Sequence, residues 1–161
     1  LSAVLLRRSL ATAAAAEHPC HGAFLTGDGA ATAFSYGFEA PKIFVPRDYL
    51  EQFTPLQIAQ ILAHEKAHIA RRDPVAFAVL SVIDAIWWHS PFVHRLTDRC
   101  RLAAELACDS RVLKAYPGAE KTYAETMLRC LRQMSGAPTG HAPAITNRSR
   151  IGDYQMRLTS I

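Results

Sequence analysis

His64-Glu65-Lys66-Ala67-His68 is the stretch whose residue types and spacing can do chemistry. Histidines at i and i+4 of a helix share one face, about 40° apart around its axis. Two imidazoles so placed suit two ligands of a tetrahedral zinc ion. Glu65, beside the first histidine, can reach a water in the metal's open position and take the proton that the metal has made acidic. A water activated beside a polarised carbonyl is the chemistry of peptide hydrolysis. Two surface histidines that merely decorate a helix would show the same spacing, so a third ligand has to decide. Farther along stands Glu105-Leu106-Ala107-Cys108-Asp109. Glu105 and Asp109 are again i and i+4. Glu105 completes three protein ligands, and Asp109 can accept the free ring N–H of a ligand histidine, fixing its tautomer. The two acids stand among Leu102, Ala103, Leu106, Ala107 and Val112. A carboxylate in such apolar company needs a partner.

These residues need elements to position them. Thr54-Pro55-Leu56-Gln57 is a helix start, with Thr54 as N-cap, Pro55 in the first turn and Gln57 completing a capping box. That helix runs to about Arg72 and stops at Asp73-Pro74. Val75 to Trp88 reads as a second helix, apolar almost all round, and so either central to the core or apposed to a membrane. Ser90-Pro91 starts a third, ending near Tyr116 before Pro117-Gly118. Thr122 to Met134 reads as a fourth. Upstream, Ala23–Leu25, Thr32–Tyr36 and Lys42–Val45 read as short strands, with a turn at Gly27-Asp28-Gly29, and Asp48–Phe53 as a short helical turn. The last two strands look like a hairpin, or like neighbours in a small sheet. Pro41 and Pro46 bracket Lys42–Val45, which predicts an edge strand there. Lys42, Ile43, Phe44 and Val45 are then the candidate surface for a substrate bound as an extended strand. Ser2–Ala16, rich in alanine and leucine, reads as helical.

Composition bounds the rest. The chain has 161 residues, half of them apolar and a fifth charged, which is one domain with a real core and excludes a disordered tail. The expected layout is a single domain. An N-terminal helix or linker spans 1–22, a catalytic core 23–134, and a mobile loop with a C-terminal segment 135–161. Four cysteines without a C-x-x-C pair point to a reducing compartment. The net charge of +4 fits an anionic membrane surface or an acidic partner, and is too weak and scattered to argue nucleic acid. No run reaches the roughly 18 to 20 apolar residues of a spanning helix. Leu1–Leu6 before Arg7-Arg8 reads as an amphipathic helix or as the last turns of a spanning one.

The chain resembles the gluzincin metallopeptidases, and among them the bacterial membrane metallopeptidases of the beta-lactam sensor–transducer type, the BlaR/MecR antirepressor family. The resemblance rests on Ala40-Pro41-Lys42-Ile43-Phe44-Val45-Pro46, on Ile61 to Asp73 around the two histidines, on Trp87-Trp88-His89-Ser90-Pro91-Phe92-Val93, and on Glu105 to Leu113. It implies an α+β fold, a mostly helical zincin-like domain with a small β-sheet beside the active-site helix. It implies a zinc endopeptidase facing the cytosol at the bacterial inner membrane, anchored by segments outside this chain. Carried over, His64, His68 and Glu105 look like the zinc ligands, Glu65 like the general base and Asp109 like the orienter. The implied substrate is a cytosolic regulator of the repressor type, or the chain itself. Beta-lactam sensing does not carry over, because the sequence holds no sensor domain.

Other residues are weaker candidates. His89 and His94, at the start of the third helix, are candidates for stabilising an oxyanion. His18-Pro19-Cys20-His21 has ligand types without a matching pair and reads as a solvated turn. Cys108 reads as a small buried residue. Trp87 and Trp88 suit either a membrane interface or core packing, and Arg157 could contact substrate. The leading reading is a Zn2+-dependent endopeptidase; the alternative is a zinc-stabilised protein-binding module without turnover.

Overall fold

A computed structural model describes residues 14–18, 22–28, 30, 32–37, 39–136 and 157. Four strands come first: β1 (Ala14–His18), β2 (Gly22–Gly27), β3 (Phe34–Tyr36) and β4 (Lys42–Pro46). Five helices follow: α1 (Arg47–Gln52), α2 (Pro55–Ala70), α3 (Asp73–Ile86), α4 (Pro91–Ala115) and α5 (Glu120–Gly136). The fold is α+β and mostly helical, as expected.

The sheet order is β1-β2-β4-β3. β1 and β2 are antiparallel, with Ala14 opposite Thr26 and His18 opposite Gly22. β2 and β4 run parallel through Leu25–Phe44 and Thr26–Val45, and β3 and β4 form the expected antiparallel pair through Phe34–Phe44, Ser35–Ile43 and Tyr36–Lys42. Two expectations are corrected here. Ala14 to Ala16, read as the end of a helix, belong to β1. Alanine's helix preference is a fraction of a kcal/mol per residue, which a strand partner overrides; residues 1–13 lie outside the described residues. The second correction concerns Lys42–Val45. β4 is an inner strand, paired on both sides, and Ile43, Phe44 and Val45 are buried. Pro46 is tolerated because it is the last residue of its strand. Substrate cannot add to β4; the edge strands among the described residues are β1 and β3.

The core lies between sheet and helices. Phe24, Ile43 and Val45 from the sheet meet Tyr49 and Phe53 around α1, Ile58, Ile61 and Leu62 from α2, and Cys130 from α5. Each fully buried large side chain contributes roughly 1.5–3 kcal/mol, so α2 is fixed on this face by three of its own.

The sequence explains the start and end of α2. Thr54 Oγ1 accepts from the Gln57 backbone N–H while Gln57 Oε1 accepts from the Thr54 backbone N–H, the expected capping box. At the other end Arg72 adopts the left-handed conformation, φ 58°, which costs an L-residue roughly 1–2 kcal/mol. This corner swings the chain directly into α3, so that Asp73 opens α3 underneath α2. α4 packs on both α2 and α3. The loop expected from Ser135 begins later, since Ser135 and Gly136 close α5; residues 137–156 lie outside the described residues.

Candidate metal centre

His64 and His68 occupy successive turns of α2 and are both buried. Their Nε2 atoms face each other at 3.1 Å. Glu105, from α4, completes the group: its Oε2 lies 3.6 Å from His64 Nε2 and its Oε1 3.5 Å from His68 Nε2. Tetrahedral ligands at zinc–nitrogen distances are separated by about 3.3 Å. The three donors are therefore spaced as the edges of one coordination shell. The structure brings together the three residues that the spacing predicts.

The opposite ring nitrogens explain which atoms point inward. His68 Nδ1 lies 2.9 Å from Asp73 Oδ2, so its N–H donates to that carboxylate and the Nε2 lone pair is left for the centre. His64 Nδ1 lies 3.2 Å from Asp109 Oδ1 and 3.0 Å from the Tyr123 hydroxyl. Tyr123 in turn donates to Asp109 Oδ1 at 2.6 Å. Two inward lone pairs 3.1 Å apart repel unless a cation or a proton lies between them. Burial pulls the His64 pKa down, but hydrogen bonds to Asp109 and Glu105 and the charge of Glu65 outweigh it, raising the pKa to about 9. Without metal, a proton holds the place of the cation. Two histidines and one glutamate, each fixed from behind, fit a catalytic zinc set that leaves one position open.

Arg157 belongs to this framework. Its Nε and Nη2 donate to Asp109 Oδ2 and Oδ1 at 2.7 and 2.8 Å, and its Nη1 lies 2.8 Å from Glu105 Oε2. Rather than reaching toward substrate, it clamps Glu105 to Asp109, the acid that contacts His64. Burial raises the Asp109 pKa, but His64 and Arg157 overcome it and hold the carboxyl well below its ordinary range.

Glu65, adjacent to the first ligand, is buried and lies outside the donor trio. It hydrogen-bonds with Ser35 of β3. Burial raises its pKa above the usual carboxylate range, against the opposing pull of His64 and His68. A carboxylate raised in this way is a better proton acceptor.

A second group of ligand types, His68, Asp73 and Cys108, lies behind the first. Asp73 Oδ2 is already shared by His68 Nδ1 and by Arg71 Nε, 3.0 Å away. Burial and the charges of Asp73 and Glu105 push the Cys108 thiol up to about 12. This group orients His68, and Cys108 packs as the small buried residue expected.

The oxyanion candidates are His94 and His89. His94 Nε2 donates to the Trp88 carbonyl at 2.9 Å and its Nδ1 faces Asp84 at 3.2 Å, so both ring nitrogens are engaged. It precedes Glu105 on α4 by about 16 Å of helix. His89 is exposed beside Trp88. Of His18-Pro19-Cys20-His21, His18 ends β1, and the other three lie outside the described residues. Sequence reasoning missed Asp73 and Tyr123. Asp73 had looked like a helix stop, and only its place five residues after His68 hinted at more.

A family model described as BlaR1 peptidase M56 matches residues 25–158. The chain belongs to that family. Its membership makes this M56 chain a metallopeptidase by family, with protein or peptide as the general substrate class. The match extends beyond the motif-bearing stretch to include Arg157. No curated protein matches the chain.

Asp73 and Asp109 should matter as the backing of the two histidines. Asp73→Asn and Asp109→Asn keep shape but weaken the acceptor, which lowers metal affinity ~10- to 100-fold. Metal titration against a competing chelator checks this; unchanged affinity in both variants would make the acids mere helix charges.

Proposed function

We propose that this M56 chain is a zinc-dependent endopeptidase that takes a protein segment as an extended strand along β3. What carries the reading is the convergence of His64, His68 and Glu105, with the ring N–H of each histidine committed to a carboxylate. Bound zinc would supply Lewis acidity, lowering the pKa of a water and polarising a carbonyl.

The chain's own residues do the rest. β3 has one neighbour, β4, among the described residues, and lies against α2. A substrate strand added to its free side would run beside the helix that holds the histidines. Ser35, in that strand, steadies the Glu65 carboxylate. Glu65 takes the proton of the attacking water and returns it to the departing amine. Asp109 and Asp73 hold the imidazoles, and Arg157 holds Glu105.

A metal-binding module without turnover would have no need of a buried Glu65, whose desolvation costs stability. The family resemblance extends the proposal to a cytosolic regulator of the repressor type, or the chain itself, as substrate. It extends it too to a site facing the cytoplasm, held at the membrane by other segments.

The test is the full chain with a peptide library, assayed with and without chelator and after zinc is restored. Zinc-restored cuts at internal bonds, read by mass spectrometry, support the proposal. A zinc-loaded chain that cuts nothing, even in a longer membrane-anchored form, supports the binding module instead.

A further inference from the structure

Glu105 meets the two histidines almost symmetrically. Its Oε2 lies 3.6 Å from His64 Nε2 and its Oε1 3.5 Å from His68 Nε2. Left to itself, such a carboxylate offers a cation both oxygens. A catalytic zinc site works with three protein donors and a water, and with room to expand to five positions in the transition state. A carboxylate that binds through both oxygens takes up that room. The two oxygens of Glu105 therefore have to be made unlike.

Arg157 makes them so. Its guanidinium is docked on Asp109, with Nε and Nη2 donating to Oδ2 and Oδ1 at 2.7 and 2.8 Å. Asp109 is held in its turn, 1% exposed and bound by the Tyr123 hydroxyl at 2.6 Å. Met127 of α5 lies 3.5 Å from Nη2. A guanidinium is a rigid plane, so a fork fixed at Nε and Nη2 also fixes Nη1. Nη1 lies 2.8 Å from Glu105 Oε2. An oxygen in a charge-assisted hydrogen bond of that length shares its negative charge with the donor. Oε1 keeps its own and is the better metal donor. The guanidinium charge beside Oε2 also repels a cation that approaches that oxygen.

We propose that Arg157 is a positioning residue that makes Glu105 a one-oxygen ligand, by taking Oε2 and leaving Oε1 for the metal. The inference rests on the reading of His64, His68 and Glu105 as a zinc centre, and deepens it by naming what keeps the remaining positions for water and substrate. It differs in sign from a role as a mere prop. Removing a prop loosens Glu105 and weakens metal binding. Removing a charge that competes for Oε2 frees both oxygens for the metal and leaves Asp109 more fully to His64, so binding holds or tightens while turnover falls.

The probe is cobalt(II) added to the metal-free full chain, because four-coordinate cobalt absorbs visible light strongly and five-coordinate cobalt weakly. The native chain is expected to give the strong band. Arg157→Gln removes the charge and the fork. It is expected to keep the native circular dichroism, to hold cobalt at least as tightly against a competing chelator, and to show the weak band. With zinc restored, its kcat for peptide cleavage should fall ~10- to 100-fold with KM little changed. Arg157→Lys, which keeps the charge without the fork, should recover part of the strong band. A weak band in the native chain overturns the proposal by itself, whether or not the variants fold. Weaker cobalt binding by a folded Arg157→Gln, with the strong band kept, makes Arg157 a prop and overturns it too. A native chain with the strong band that cleaves no peptide leaves this inference standing and removes the peptidase reading.

Discussion

Glu65→Gln is expected to load zinc as the native chain does and to hydrolyse peptide ~10² to 10⁴-fold more slowly. Glu65 lies outside the donor trio, so its amide leaves all three ligands in place. The amide keeps the carboxylate's shape and can still bond with Ser35, so the local packing persists. It also removes a carboxylate that burial disfavours, so the substitution gives no reason to unfold. What disappears is the ability to take a proton. Zinc stoichiometry and single-turnover cleavage, measured together in one buffer, check the prediction. Equal cleavage by both proteins removes Glu65 as the base, and loss of zinc moves it into the ligand set.

His64→Ala and His68→Ala are each expected to lose tight zinc binding, and the double variant to lose it entirely. Each substitution deletes one of only three protein donors. Neither strands its backing acid: Asp109 retains Tyr123 and Arg157, and Asp73 retains Arg71. The fold should therefore survive, and the effect should be on metal. In the native chain, against the effect of burial, Asp109, Glu105 and Glu65 raise the His64 pKa to about 9, so metal has to displace a proton there and apparent affinity should fall as the pH is lowered. Elemental analysis after chelator treatment and zinc restoration reads the result. A double variant that recovers stoichiometric metal would mean the cation is held elsewhere.

The convergence of His64, His68 and Glu105 was legible in the sequence because helical spacing alone aims them. His64 and His68 need only a continuous helix between a capping box and a stop, and both signals stand in the chain. Glu105 and Asp109 were legible for the same reason one helix later. What lay hidden depends on how elements meet. Asp73 backs His68 because Arg72 turns left-handed, and nothing in the types of neighbouring residues announces that turn. Tyr123 and Arg157 approach from elements far along the chain. The strand edge was misplaced because proline spacing describes one strand, whereas edge status depends on which strands flank it. β2 runs parallel to β4, and no hairpin signal could reveal that pairing.

The edge that β3 leaves unpaired among the described residues is only three residues long, a run of about 10 Å. Such an edge can offer two or three backbone hydrogen bonds, each contributing roughly 0.5–1.5 kcal/mol net. A grip of that strength barely distinguishes one polypeptide from another in free solution. Selectivity must then come from confinement, with enzyme and substrate held near each other so that a weak grip acts at high effective concentration. A peptidase with so short an edge would align whatever polypeptide is brought to it, and what brings enzyme and substrate together would decide which bond is cut.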